Sequence, residues 1–146
     1  FSSTAERTAF RERWLGRYID RWPHLAYVAL DEPARVAGYL VGCLENPAQT
    51  RLFQDIAYFK AFARECARYP AHLHINLRED VRGRGIGSAL IEAFAQAAHA
   101  AGVPGLHIVT AQGARNVSFY ERNGFRVLAA DTQLGITRIF MGRDLH

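Results

Sequence analysis

Between residues 71 and 123 the chain alternates strand and helix twice, and this alternation restricts the folds open to it. Residues 71–77 (AHLHINL) place Leu73, Ile75 and Leu77 on one side and His72, His74 and Asn76 on the other, the two-residue period of a strand. A glycine loop over 82–87 leads into a helix that runs to about Ala101, with Ile86, Leu90, Ala93, Phe94 and Ala97 turned inward. Gly102 and Pro104 end that helix. Residues 105–111 (GLHIVTA) read as a second strand, and 116–123 as a short helix closed by Gly124. Two strand–helix units in tandem make a parallel strand pair, because only a crossover connection returns the chain in the same direction. The expected fold class is α/β, an α+β mixed sheet flanked by helices.

The flanking segments fit this plan. Residues 5–22 read as an amphipathic helix with Phe10, Trp14, Tyr18 and Trp22 on one face, stopped by Pro23. Residues 25–31 and 36–45 form a hairpin around the turn Glu32-Pro33-Ala34-Arg35, and 54–68 read as a helix with Ile56, Phe59, Ala63 and Cys66 buried. Strands are expected at about 125–131 and 136–143. The 146 residues suit one domain, 1–146. Phe1 is not Met, so the native start, with a first strand, is expected to lie upstream.

Composition excludes several classes of function. Apolar residues make up 49% and charged residues 22%, enough for a packed core and too apolar for disorder. A net charge of +4 without a basic run does not make a nucleic-acid surface. No apolar stretch reaches membrane-spanning length, and no signal peptide is visible. Cys43 and Cys66 do not form a disulfide framework; both lie in apolar-periodic segments and read as buried thiols, which suits a cytoplasmic setting.

The segment Arg82-Gly83-Arg84-Gly85-Ile86-Gly87-Ser88-Ala89 is the chemical signal. Alternating glycines let backbone approach a ligand, and the helix start behind them offers free N–H groups and a positive dipole end. Such a site holds phosphate, and Arg78, Arg82 and Arg84 add positive charge around it. A Walker loop needs Lys after its last glycine, and here Ser88 follows Gly87. A dinucleotide fingerprint needs a third glycine where Ser88 or Leu90 stands.

Arg82-x-x-Gly85-x-Gly87 instead matches the R/Q-x-x-G-x-G/A signature of the GNAT acetyltransferases. Asn116 to Phe125 (NVSFYERNGF) resembles the N-x-x-x-x-Y-x-x-x-G-F segment of the same family, in the expected order and on the expected elements. The run Tyr69 to Leu77 also resembles bacterial acetyltransferases related to the C-terminal acetyltransferase-like domain of O-GlcNAcase. The resemblance implies a sheet splayed between two parallel strands, with helices on both faces. It also implies transfer of acetyl from acetyl-CoA to an amine by direct attack, without a covalent enzyme intermediate, so that the cysteines need no role.

Carried over residue by residue, the resemblance assigns the coenzyme pyrophosphate to Arg82, Gly83, Arg84, Gly85, Ile86, Gly87 and Ser88. It pairs the backbone of Asn76, Leu77 and Arg78 with the pantetheine arm, and sets Asn116, Phe119 and Tyr120 beside the coenzyme. Tyr120 matches the tyrosine near the sulfur, where a phenol of pKa about 10 can donate to a thiolate. Asn116 is equally a good N-cap. His72 or His74 is the candidate base, on a strand face where polar side chains are costly unless paired or wet, and Glu79 is a further candidate. A metal held by His72, His74 and His107 lacks a Cys or carboxylate to complete the set, and the resemblance implies none. The acceptor is expected to be a small-molecule or peptide amine, and dimerisation through the last strands is common for such a fold. A non-catalytic acetyl-CoA-binding module and an interaction domain with a vestigial loop are the competing readings.

Overall fold

Four-residue spacing overshoots the 3.6 residues of an α-helical turn, so the row Phe10, Trp14, Tyr18, Trp22 would drift around a regular helix. The computed structural model describes residues 3–32 and 34–145, and in it the first helix widens midway. Helix α1 (Thr4–Arg11) is capped by Ser3, whose hydroxyl accepts the Glu6 N–H at 3.1 Å. It passes through a π-helical turn, Glu12–Gly16, into α2 (Arg17–Arg21). The wide turn offsets the drift and brings Trp14 and Tyr18 onto one neighbour, His74. Pro23 then opens a 3-10 turn.

Strands β1 (Tyr27–Asp31) and β2 (Arg35–Cys43) form the expected antiparallel hairpin, with Ala34 in the left-handed region of its turn. Pro33 of that turn lies outside the described residues, as do residues 1, 2 and 146. The helix expected over 54–68 is a correction. A 3-10 turn (Arg51–Phe53) precedes two short helices, α3 (Tyr58–Ala61) and α4 (Ala63–Arg68), interrupted at Phe62. The buried residues Phe53, Ile56, Phe59 and Phe62 recur every third position, which suits a tighter turn than the α-helix.

Strand β3 (Ala71–Leu77) leads through the glycine loop to α5 (Ile86–Ala100). That helix ends with Val103 N–H on Ala98 O and Gly102 N–H on His99 O, Gly102 lying at φ +79°. Strand β4 (Gly105–Ala111), α6 (Val117–Arg122) and the hairpin β5 (Arg126–Gln133) and β6 (Ile136–Asp144) complete the chain. The six-stranded sheet runs β1-β2-β3-β4-β6-β5. β3 and β4 are parallel, while the β1/β2, β4/β6 and β5/β6 pairs are antiparallel, which is the mixed sheet expected. The parallel ladder joins Ala71 to Leu106 and His72 to His107.

The chain divides into two compact units, Phe1–Cys43 with His74–Phe94, and Leu44–Leu73 with Ala95–His146. The first packs Tyr18, Leu40, Cys43, Ile91 and Phe94 in its core; the second packs Phe53, Phe62, Cys66, Leu106 and Phe140. Each such side chain contributes about 1.5–3 kcal/mol on leaving water. Both cysteines are buried as expected, and burial pushes the Cys66 thiol up to about 12, which keeps it unreactive. No helix among the described residues is long and apolar enough to cross a membrane.

Candidate functional site

The glycine loop lies wholly in the first unit. β3 stops at Leu77, a 3-10 turn (Glu79–Val81) tucks Val81 into the core, and the chain reaches Gly83 at φ +81° and Gly85 at φ +79°. An L side chain in that region costs about 1–2 kcal/mol, so the backbone path favours glycine. A Cβ added at either position would meet nothing within 4 Å, so the loop's surroundings are open. α5 begins at once: Ala89 N–H bonds to Gly85 O at 3.1 Å, and the amides of Ile86, Gly87 and Ser88 form the first turn, whose N–H groups have no partner within the helix. Arg82 and Arg84 stand exposed beside them. This arrangement suits a phosphate-bearing anion. The third arginine does not serve that purpose, because the Arg78 guanidinium is paired with Asp31 and Asp80.

The backbone before the loop distinguishes the three residues expected along the coenzyme arm. Arg78 N–H donates to Ala37 O of β2 at 2.8 Å. Asn76 O faces the same neighbour, lying 2.8 Å from where a Cβ on Gly38 would stand. Strand groups alternate sides, so of Asn76, Leu77 and Arg78 only Leu77 directs its N–H and C=O away from β2.

The three polar side chains of β3 differ in surroundings. His72 is 2% exposed in the second unit, with the rings of Phe53 and Phe59 at 4.9 and 5.0 Å and His107 stacked at 5.4 Å. His107 in turn bonds through Nδ1 to Tyr69 O and stacks on Phe140. His74 belongs to the first unit and keeps some exposure as a residue, but its ring is packed against Trp14 and Tyr18: Nε2 lies 3.0 Å from Tyr18 Oη, with the Trp14 ring edge-on at 5.3 Å. Burial, reinforced by the nearby Arg17 charge, lowers its pKa to about 4. Asn76 and Glu79 are exposed. Tyr18 and Trp14 were legible only as an aromatic stripe; nothing in their spacing indicated that the stripe would enclose a histidine.

The second unit holds the other candidates. Tyr120 is buried on α6 between the rings of Phe119 (5.3 Å) and Phe125 (5.6 Å), and burial raises its phenol to about 12. Asn116 does not cap α6 with its side chain. Its Oδ1 accepts from Thr110 Oγ1 at 2.9 Å, which ties the helix start to the end of β4, while its backbone O accepts the Tyr120 N–H. Among the described residues no cluster of three or more His, Cys, Asp or Glu side chains could hold a metal.

The family model for the acetyltransferase (GNAT) domain matches residues 22–127. Solved structures share the fold. The crystal structure of SsHAT superposes with a TM-score of 0.73 at 28% identity, over 94% of this chain and 80% of that one. Chaetomium thermophilum Naa20, in complex with a bisubstrate analogue, gives 0.67 at 21% identity, over 88% and 70%. A Bacillus anthracis str. Ames protein assigned as a streptothricin acetyltransferase, in complex with acetyl coenzyme A, gives 0.62 at 20% identity, over 82% and 61%.

Proposed function

The chain belongs to the GNAT acetyltransferase family, and on that premise we propose that it moves the acetyl group of acetyl-CoA to a primary amine by direct attack in a ternary complex. The observation that carries this reading is the glycine loop, left-handed at Gly83 and Gly85, open around both, and followed by the fifteen-residue α5. Those amides, with Arg82 and Arg84, suit a pyrophosphate. The outward N–H and C=O of Leu77 suit an amide-bearing arm laid along β3.

The reaction forms a C–N bond and breaks a C–S bond; the amine gives up a proton and the sulfur takes one. The family resemblance assigns Tyr120 to the departing sulfur; with its pKa raised to about 12 by burial, the phenol keeps its proton near neutral pH and can donate a hydrogen bond. An alkyl thiol titrates near 8.5, so net proton transfer from the phenol would be uphill. The proton therefore comes from the amine. His74, neutral at pH 7 and weakly basic, is too poor a base to strip a free ammonium, so the acceptor enters as free amine.

The weak basicity of His74 and the enclosure of His72 favour a second reading, a module that binds acetyl-CoA without turnover. Thiol release from acetyl-CoA, screened over primary amines with alcohols as controls, tests the proposal. Amine-dependent release supports transfer to nitrogen. Binding without release supports the module.

A further inference from the structure

A guanidinium carries five N–H bonds, and at Arg78 five contacts to oxygen are available to take them. Nε and Nη2 donate to the two oxygens of Asp80 at 2.7 and 3.0 Å. Nη2 also donates to Asp31 Oδ2 at 2.6 Å, and Nη1 to Asp31 Oδ1 at 3.4 Å. Nη1 donates in addition to Val36 O at 3.0 Å. One side chain thus joins the end of β1, the start of β2 and the turn that enters the glycine loop. A lysine, with three donors on one nitrogen, cannot reproduce this fork.

The loop needs such an anchor. Glycine moves freely between left- and right-handed conformations, and at Gly83 and Gly85 no neighbour lies within 4 Å of the side-chain position. α5 fixes the far end of the loop; the near end is held by buried Val81 and by Asp80, two residues before Arg82. The Arg78 guanidinium is taken up by two carboxylates, which Arg35 also attracts, so Arg78 has no hydrogen-bond donor left over for an anion. We infer that Arg78 is a positioning residue: acting through Asp31 and Asp80, it sets the entry of the glycine loop, so that the loop amides are already in place for a pyrophosphate. The identity of that ligand rests on the proposed acetyl-CoA reading; the clasp itself does not. Both carboxyls are held below the usual range, first by their hydrogen bonds to Arg78, which agrees with a formed clasp.

The test compares wild type with Asp31→Asn and Arg78→Lys. Hydrogen exchange of the amides at 83–88 is followed in the ligand-free protein. KM and kcat are measured with acetyl-CoA and with acetyl-pantetheine, which lacks the phosphates. The loop amides are expected to exchange about ten-fold faster in either variant, with α6 unchanged. KM for acetyl-CoA should rise about five-fold while kcat and the acetyl-pantetheine constants stay near wild type. Unchanged loop exchange, or equal acceleration throughout the chain, would overturn the inference, as would equal losses with both acyl donors. A wild type that ignores acetyl-CoA would instead refute the proposed function, and the exchange data would still decide the clasp.

Discussion

The hydroxyl of Tyr18 meets Nε2 of His74 at 3.0 Å, which fixes an imidazole of β3 beneath the first helix. Burial there, with Arg17 near, lowers the His74 pKa to about 4, against about 6.5 in an unfolded chain. Between those values the unfolded state binds more protons, so this contribution to stability is complete above about pH 6.5 and is lost as pH falls towards 4. Thermal unfolding at pH 7 and pH 5 should show a drop in Tm for wild type and a smaller drop for His74→Asn. Equal drops would remove His74 from the pH response.

Gly85 and Gly102 offer a matched pair, both at φ +79° with nothing within 4 Å of an added Cβ. Alanine at either site should cost about 1–2 kcal/mol through backbone strain alone. Only Gly85→Ala should also weaken acetyl-CoA binding, because only that loop belongs to the proposed pyrophosphate site. Calorimetric titration of both variants checks this; equal affinities would contradict it.

Tyr120→Phe should leave acetyl-CoA affinity intact and lower kcat by about a hundred-fold. Because burial raises the phenol to about 12, its ionisation should not reduce the wild-type rate between pH 8 and 10. A rate–pH profile falling in that range only when Tyr120 is present would contradict the account.

Gly38 lies against β3 beside the proposed arm site. A methyl there would run into Leu77 Cδ2 and stand 2.8 Å from Asn76 O, a backbone atom that cannot yield without moving the strand. Gly38→Ala should cost about 1–3 kcal/mol. Gly142→Ala, crowded by Leu128 and Tyr69 in the other unit, should cost a similar amount. Acetyl-CoA affinity should fall in the Gly38 variant only. Equal affinities for the two would show that Leu77 is not part of the site.

Much of this was legible because it is local. The bounds of β3 follow from apolar alternation, and the loop from its glycines and the helix behind them. The break at Phe62 escapes a reading based on Ile56, Phe59, Ala63 and Cys66, which sit at helical spacing, whereas Phe59, Phe62 and Cys66 are buried and Ala63 is exposed, and short windows do not separate turns of 3.0 and 3.6 residues. The π-helical turn, which brings Trp14 and Tyr18 onto His74, leaves no compositional mark. The Arg78 clasp was beyond reach because Asp31 lies 47 residues away in sequence; the expectation that Arg78 would help hold an anion counted its charge without its partners. Asn116 reads as a possible cap from its type alone, while the hydroxyl that donates to its Oδ1, Thr110, sits on the preceding strand.

The central claim is that the loop over 82–87 holds acetyl-CoA. Thermal unfolding with acetyl-CoA, with ATP and NAD as controls, tests it most directly when run beside Gly85→Glu, which sets a carboxylate at the proposed pyrophosphate. At a hundred times its Kd the ligand should raise Tm of wild type by about 5–10 °C, with no shift in the variant and none from the controls. A folded wild type that shows no shift, or a variant that shifts equally, would contradict the assignment of this loop.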